Sequence, residues 1–181
     1  MRFLPKLFYK LGLILMNLPN PETQCKELAQ LIAPKLPQQP LLVGIYSGGS
    51  LVAERVKRFL NLNDDALGFL DVSFYRDDVH KKGLHAAIKP TQIPLSVENR
   101  LVILIDDVLF TGRTTRAAMS EIFDYGRPQA IELAVLADRK GRELPIAPNY
   151  CVWEINLKPS QKMHLSYDEN QKLRWSLQEN A

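Results

Sequence analysis

The sequence is poor in cysteine and has no apolar run long enough to cross a membrane. Its 181 residues include two cysteines, Cys25 and Cys151, whose separation matches no zinc-ligand spacing. The apolar segment Leu11–Met16 is far shorter than the about 20 residues that a transmembrane helix needs. We therefore expect reduced thiols, no membrane partner and a cytoplasmic location.

Strong net charge and the common nucleotide-binding motif are also missing. The net charge of +3 is too small to require a nucleic-acid partner. No G-x-x-x-x-G-K-[ST] motif occurs, so ATP hydrolysis at a P-loop has little support. His80 and His85 have no third ligand at zinc spacing and are expected to be solvated. The sequence as a whole is 46% hydrophobic and 24% charged, which is typical of one globular domain with its own core.

The first sixteen residues are expected to be an extension outside the domain, which then covers residues 17–181. Arg2, Lys6 and Lys10 precede the apolar segment as in a signal peptide, but no small-residue cleavage site follows. Two interpretations stay open: translation that starts at Met16, or an ordered helical arm.

Apolar strands alternate with helical patterns along the rest of the chain. The predicted strands are Leu41–Tyr46, Ala66–Tyr75, Leu101–Ile105 and Ala130–Ala137, followed by shorter ones at Tyr150–Ile155, Lys162–Tyr167 and Leu173–Leu177. This order predicts an α/β fold with a central parallel sheet and helices on both faces. Ligands bind such sheets at the carboxyl ends of the strands. The long polar stretch Arg76–Asn99 is typical of a lid or of a disordered segment.

Two carboxylates, Asp106 and Asp107, stand where the strand Leu101–Ile105 is expected to end. They are suited to holding ribose hydroxyls, either directly or through Mg²⁺, which prefers a few carboxylates together with substrate phosphates. If the strand continues, their side chains point to opposite faces of the sheet. The alternative is a pair of ordinary turn or helix-capping acids.

Two glycine-containing turns are candidates for binding anions. Hydroxyls and consecutive amides at a helix start suit a phosphate monoester, and the first turn offers them through Thr111, Gly112, Arg113, Thr114 and Thr115. The second turn, Ser47, Gly48 and Gly49, can present amides to another anion. An ordinary N-cap and a plain strand-to-helix turn are the respective alternatives.

Several segments together resemble a known family. They are Gly44–Gly49, Leu70–Asp78, Ile105–Thr114, Leu133–Arg139 and Arg142–Ile146. Val102–Thr115 is similar to the phosphoribosyl-diphosphate (PRPP) signature of type I phosphoribosyltransferases, and the set is similar to the PyrR family. That family comprises bifunctional pyrimidine-operon attenuators and uracil phosphoribosyltransferases. After Tyr150 and Cys151 the sequence departs from the family, with Val152–Lys158 in place of Gly-Lys-Asn-Ile-Pro-Thr-Ser.

The resemblance implies a type I phosphoribosyltransferase fold with a long flexible loop and a small hood, formed mainly by residues 138–181. It also implies a homodimer that uses Mg²⁺, PRPP and uracil to make UMP and diphosphate. The resemblance assigns Asp106 and Asp107 to the ribose and the metal ion, and Thr111–Thr115 to the 5′-phosphate. It assigns Ser47, Gly48, Gly49 and Arg76 to the diphosphate. The residues that it implies near the base are Asp138, Arg139, Tyr150 and Cys151.

Phe110 decides between two kinds of base. In purine-using relatives an acid precedes the Thr-Gly turn, whereas this sequence has Phe110 there. The sequence therefore predicts a pyrimidine substrate and no side-chain general base at that position. Competing hypotheses are transfer to another base, or an RNA-binding sensor of UMP or PRPP. An RNA surface could draw on five basic residues, although a solvated surface is equally compatible with them: Lys10, Lys35, Arg139, Lys140 and Arg142.

Overall fold

The computed structural model describes residues 18–72 and 90–179. The N-terminal extension with Met16 lies outside these ranges, and so do Arg76 and both histidines of the expected lid, His80 and His85. Within the described ranges no helix has both the length and the apolar character needed to cross a membrane.

Three α-helices and seven strands make up the described chain. The helices are α1 (Pro21–Ile32), α2 (Gly48–Phe59) and α3 (Arg113–Asp124), with short 3-10 turns at Ala33–Gln38 and Asp64–Ala66. The strands are β1 (Leu41–Ile45), β2 (Leu67–Leu70), β3 (Leu101–Leu109), β4 (Ala130–Asp138), β5 (Tyr150–Glu154), β6 (Gln161–Tyr167) and β7 (Leu173–Glu179).

Strands β1 to β5 form one parallel sheet in the order β2-β1-β3-β4-β5. Strand β1 is buried along its whole length, as expected for a strand covered on both faces. One core cluster joins α1 and α2 to residues such as Ile103 and Ile105. The other joins α3 to their alternating neighbours, such as Val102 and Leu104. The predicted two-faced α/β sheet is confirmed.

Two predicted strand boundaries are wrong. Strand β3 does not end at Ile105 but continues to Leu109, because Asp106, Val108 and Leu109 keep pairing with β4. Strand β2 is shorter than the predicted Ala66–Tyr75: pairing with β1 ends at Leu70, and Asp71 and Val72 are not in a strand. The acid pair therefore lies inside the central strand of the sheet.

The antiparallel hairpin of β6 and β7 packs against the face that carries α1 and α2. The carboxylate of Glu22 on α1 accepts from Nε of Arg55 at 3.1 Å and from the Leu173 amide at 3.2 Å. Nearby, Nε1 of buried Trp175 donates to Oε1 of Gln24 at 2.7 Å. Buried polar contacts thus set where the hairpin sits on the helices. Assigning residues 138–181 to a hood stays a prediction, and β5 within that range belongs to the main sheet.

The Trp175–Gln24 hydrogen bond predicts a measurable loss of stability on removal of the indole N–H. Trp175→Phe keeps an aromatic ring but leaves the buried Gln24 carbonyl oxygen without its donor. We expect the free energy of unfolding to fall by about 1–3 kcal/mol. Urea denaturation measures it, with Gln178→Ala on the exposed side of the same strand as the control. Equal stability of Trp175→Phe and wild type would contradict this reading of the hairpin contact.

Candidate active site

The acid pair lies on the central strand near its carboxyl end. Asp106 is 8% exposed, whereas Asp107 is half-buried. Oδ1 of Asp106 accepts from the Asp107 amide at 3.0 Å. Since β3 continues through both residues, the expectation that their side chains leave opposite faces of the sheet applies. The Asp106 carboxylate therefore fixes the backbone from which the Asp107 side chain extends.

The first glycine turn packs directly on the acid pair. Gly48 and Gly49 are the first residues of α2, so they begin a helix and do not form the separate turn that the sequence suggested. A Cβ on Gly48 would lie 2.2 Å from the Asp107 carboxylate. A Cβ on Gly49 would lie 2.4 Å from the Ile105 carbonyl oxygen. Only glycine fits at these positions, and the amino end of α2 thereby reaches the acids.

The second turn leads from β3 into α3. Gly112 has φ 90°, a left-handed conformation that glycine adopts without steric cost. Oγ1 of Thr111 accepts from the Arg113 amide at 3.3 Å, and Thr115 is buried in the first turn of the helix. The predicted cluster of hydroxyls and amides at a helix start is therefore present, at the same edge of the sheet as the acid pair.

The loop after β4 is hydrogen-bonded along this second turn. The carbonyl oxygen of Thr111 accepts from the Glu143 amide at 3.0 Å and from the Leu144 amide at 3.2 Å. Nε of Arg113 contacts Oε2 of Glu143 at 2.6 Å. The loop also meets the end of β3, since the Arg139 amide donates to the Leu109 carbonyl at 3.0 Å. Hydrogen bonds from the loop after β4 therefore fix the backbone of the candidate phosphate turn.

Asp138, at the end of β4, forms an ion pair with Arg142 at 2.6 Å. Burial by itself would raise the pKa of the Asp138 carboxyl. Hydrogen bonds from the Lys140 amide and the Arg142 guanidinium outweigh that effect and hold the pKa below its ordinary value. Asp138 is therefore an ionised acceptor that organises the loop after β4.

Arg139 covers the ring of Phe110, with Cζ 3.8 Å from the ring centroid. The guanidinium is 8% exposed, and Nη2 donates to the Lys158 carbonyl at 3.4 Å. Its Nε has no hydrogen-bond partner in residues 18–72 and 90–179, and burial lowers the pKa of the group. The Arg139 guanidinium therefore stacks on the Phe110 ring next to the candidate phosphate turn.

Tyr150 and Cys151 are the first two residues of β5, and Cys151 is in register with Asp106 through Val135. They pair with Ala134 and Val135 in the middle of β4, and Tyr150 lies about 13 Å along the strand from Glu154. The Tyr150 hydroxyl donates to Glu132, and burial together with this contact raises its pKa. The expectation that these two residues lie near the base stays a prediction.

Trp153 and Glu154 lie nearest the carboxyl end of β5. Trp153 is opposite Ala137, and Glu154 is opposite Asp138. Sequence reasoning singled out Trp153 only as a departure from the family and did not consider Glu154. The rule that ligands bind at the carboxyl ends of parallel strands would have identified both, since they end the strand that was predicted there.

The donors at this edge suit a hard cation. The described residues contain no cluster of three or more histidine, cysteine, aspartate or glutamate side chains that could hold a metal ion. A cation bound here would therefore have few protein ligands, and the carboxylates of Asp106 and Asp107 offer oxygen only. Magnesium, which keeps several waters and takes substrate phosphate oxygens, fits such a donor set.

Comparison with known proteins agrees with this geometry. A phosphoribosyl transferase domain model matches residues 15–171. The Bifunctional protein PyrR of Nitrosococcus oceani is 43% identical over 161 residues, which are 83% of this chain and 91% of that protein. The chain belongs to the PyrR family of phosphoribosyltransferases. The Bifunctional protein PyrR of Pseudomonas syringae pv. tomato, 42% identical over 158 residues, covers 85% of this chain and 92% of that relative. The predicted family is confirmed.

Solved structures support the fold of this PyrR-family chain. A hypoxanthine phosphoribosyltransferase from Staphylococcus aureus superposes with a TM-score of 0.58 at 20% identity, covering 86% of this chain and 85% of that one. The Trypanosoma cruzi enzyme gives 0.57 at 20% identity, covering 86% and 90%. The predicted type I phosphoribosyltransferase fold is confirmed.

The close approach of α2 to β3 predicts that Gly49→Ala destabilises the protein. The new Cβ would meet the Ile105 carbonyl oxygen, and this backbone atom cannot rotate away. We expect the free energy of unfolding to fall by about 2–3 kcal/mol, which is typical of an overpacked contact. Urea denaturation tests it, with the exposed Arg58→Ala on the same helix as the control. Wild-type stability of Gly49→Ala would show that the helix start is free to move from the acids.

Proposed function

We propose that this chain transfers the phosphoribosyl group of PRPP to uracil, which yields UMP and diphosphate. The observation that carries the proposal is the meeting of three parts at one sheet edge. They are the acid pair of β3, the glycine start of α2 packed on it, and the hydroxyl-bearing turn that opens α3. These parts match, in order, a ribose, a diphosphate and a 5′-phosphate.

In this proposal Asp106 and Asp107 bind the ribose hydroxyls, and Thr111–Thr115 bind the 5′-phosphate through amides and hydroxyls. Ser47, Gly48 and Gly49 offer the amino end of α2 to the diphosphate, and Arg76 from the undescribed segment is assigned to the same group. Bound Mg²⁺ would neutralise charge that develops on the leaving diphosphate. Binding PRPP at both ends aligns its C1 with the base, and such positioning is the main contribution of these residues.

Phe110 supports a pyrimidine as the acceptor. Its ring is 39% exposed beside the phosphate turn and carries Arg139 on one face. No carboxylate is available at this position to take a proton from the ring nitrogen of a purine. A base that ionises readily, or loses its proton late, is the better match to a site with this side chain.

A panel of bases with PRPP and magnesium tests the proposed substrate. We expect nucleotide to form with uracil and little or none with hypoxanthine, guanine or orotate, as followed by chromatography of the products. No UMP from uracil would overturn the proposal. Efficient use of hypoxanthine would show that Phe110 does not decide the class of base.

Asp107→Asn tests the ribose site within the same assay. The amide keeps the size of the side chain but removes the charge that favours hydroxyl and cation contacts. We expect turnover to fall about 100-fold or more, with an unchanged melting temperature. Asp124→Asn, an exposed carboxylate at the end of α3, is the matched control. Normal turnover of Asp107→Asn would mean that the ribose site lies elsewhere.

A second candidate function is RNA binding, which the resemblance to pyrimidine-operon attenuators implies and which a second activity in relatives named bifunctional would accommodate. The described basic candidates give it little electrostatic support. Lys35 pairs with Glu132, Lys140 with Glu154 and Arg142 with Asp138, while Arg139 is buried. Lys10 lies outside the described residues. The four described candidates are therefore paired or buried and do not by themselves make a free basic surface.

Filter binding to a pyrimidine-operon leader RNA, with and without UMP, distinguishes the two candidates. A regulator binds the leader in preference to a scrambled RNA and responds to UMP. Binding that ignores sequence and weakens steeply with salt would show only nonspecific phosphate contacts.

A further inference from the structure

The guanidinium of Arg142 joins three parts of the loop and turn beside the candidate phosphate site. Nη2 donates to Oδ2 of Asp138 at 2.6 Å, and Nη1 donates to the Phe110 carbonyl at 2.7 Å. Nε donates to the Ile146 carbonyl at 2.8 Å. The side chain is 22% exposed, so these bonds are partly shielded from water. One rigid, planar cation thus links the end of β4, the residue before Thr111 and the returning loop.

Two successive carbonyls at the start of the phosphate turn are held by the segment around Arg142. Arg142 holds the carbonyl of Phe110, and the Glu143 and Leu144 amides hold the carbonyl of Thr111. In a trans peptide the C=O of one residue and the N–H of the next point in opposite directions. The only cis peptide in the described chain is Tyr46–Ser47, so this rule applies at both peptides.

The consequence is that Arg142 and its neighbours set the direction of two amide donors. Fixing the Phe110 carbonyl toward Arg142 turns the Thr111 N–H away from the loop. Because the Thr111 carbonyl points toward the Glu143 and Leu144 amides, the Gly112 N–H also points away from the loop. Both amides belong to the turn that we assign to the 5′-phosphate. Gly112 has a left-handed φ, and glycine has little conformational preference of its own. The direction of the Gly112 N–H therefore depends on contacts from outside the turn.

We propose that Arg142 is a positioning residue for phosphate binding that does not touch the ligand: it orients the Thr111 amide through the Phe110 carbonyl, and it fixes the loop whose Glu143 and Leu144 amides orient the Gly112 amide. Asp138, buried and hydrogen-bonded to the Lys140 amide, holds the guanidinium in place. This inference rests on the proposed function, because it takes the turn as the 5′-phosphate site. It differs from the earlier expectation that Arg142 lies on an RNA-binding surface.

The test uses Arg142→Met, which keeps the aliphatic stem and removes all three donors. We expect the KM for PRPP to rise about tenfold while the KM for uracil stays unchanged. The affinity for ribose 5-phosphate, measured by calorimetry, should fall by the same factor. Lys140→Met is the control, since Lys140 is a more exposed cation in the same loop that pairs with Glu154. Its KM for PRPP and its affinity for ribose 5-phosphate should equal those of wild type.

A purely structural role predicts a different pattern. It would lower the melting temperature of Arg142→Met without a selective change in the KM for PRPP, and that result would overturn the proposal. A rise in the KM for uracil alone would overturn it too, since Arg142 would then act on the base side.

Arg142→Lys decides the question if Arg142→Met does not fold. A lysine can keep the contact with Asp138, but a single ammonium cannot reach three separated acceptors. We expect a near-native melting temperature with ribose 5-phosphate binding weakened about threefold or more. Native affinity in Arg142→Lys would overturn the inference. Absence of both UMP formation and ribose 5-phosphate binding in the wild type would instead overturn the proposed function.

Discussion

The close contact between the amino end of α2 and strand β3 is the constraint on which the site depends. Gly48 meets the Asp107 carboxylate and Gly49 meets the backbone at Ile105, with no room for a side chain at either position. This contact brings a helix start, with its positive dipole end, to two carboxylates. The parts that we propose for diphosphate and for ribose are thereby adjacent.

The second half of the site is organised by polar contacts to the loop after β4. The chain between Asp138 and Ile146 hydrogen-bonds to Leu109, Phe110 and Thr111, so it follows the turn over three residues. Buried carboxylate and guanidinium groups are costly to leave unpaired, and their mutual contact explains why this loop keeps one arrangement. The shape of the candidate phosphate turn therefore depends on this loop as well as on Gly112.

Strand β5 adds further side chains along the outer side of β4. Tyr150 is used at mid-strand, where it binds Glu132 together with Lys35, a contact that belongs to the packing of the sheet. Trp153 and Glu154 lie at the edge with Ala137 and Asp138. Phe110 and its stacked Arg139 stand at the end of the neighbouring strands.

The sequence alone determined the class of fold and the family, and it predicted the candidate phosphate and ribose residues. These are local features: buried strands show as apolar runs, and a glycine-hydroxyl turn after a strand carries its own geometry, as Gly112 illustrates. Tertiary structure decided three matters that depend on pairing between distant segments. Strand β3 continues through the acids because Asp106, Val108 and Leu109 pair with β4, and the β4–β5 register places Trp153 and Glu154 opposite Ala137 and Asp138. Arg142, which looks like a surface cation in the sequence, turns inward because the distant Phe110 carbonyl joins two nearby acceptors, on Asp138 and Ile146, around its guanidinium.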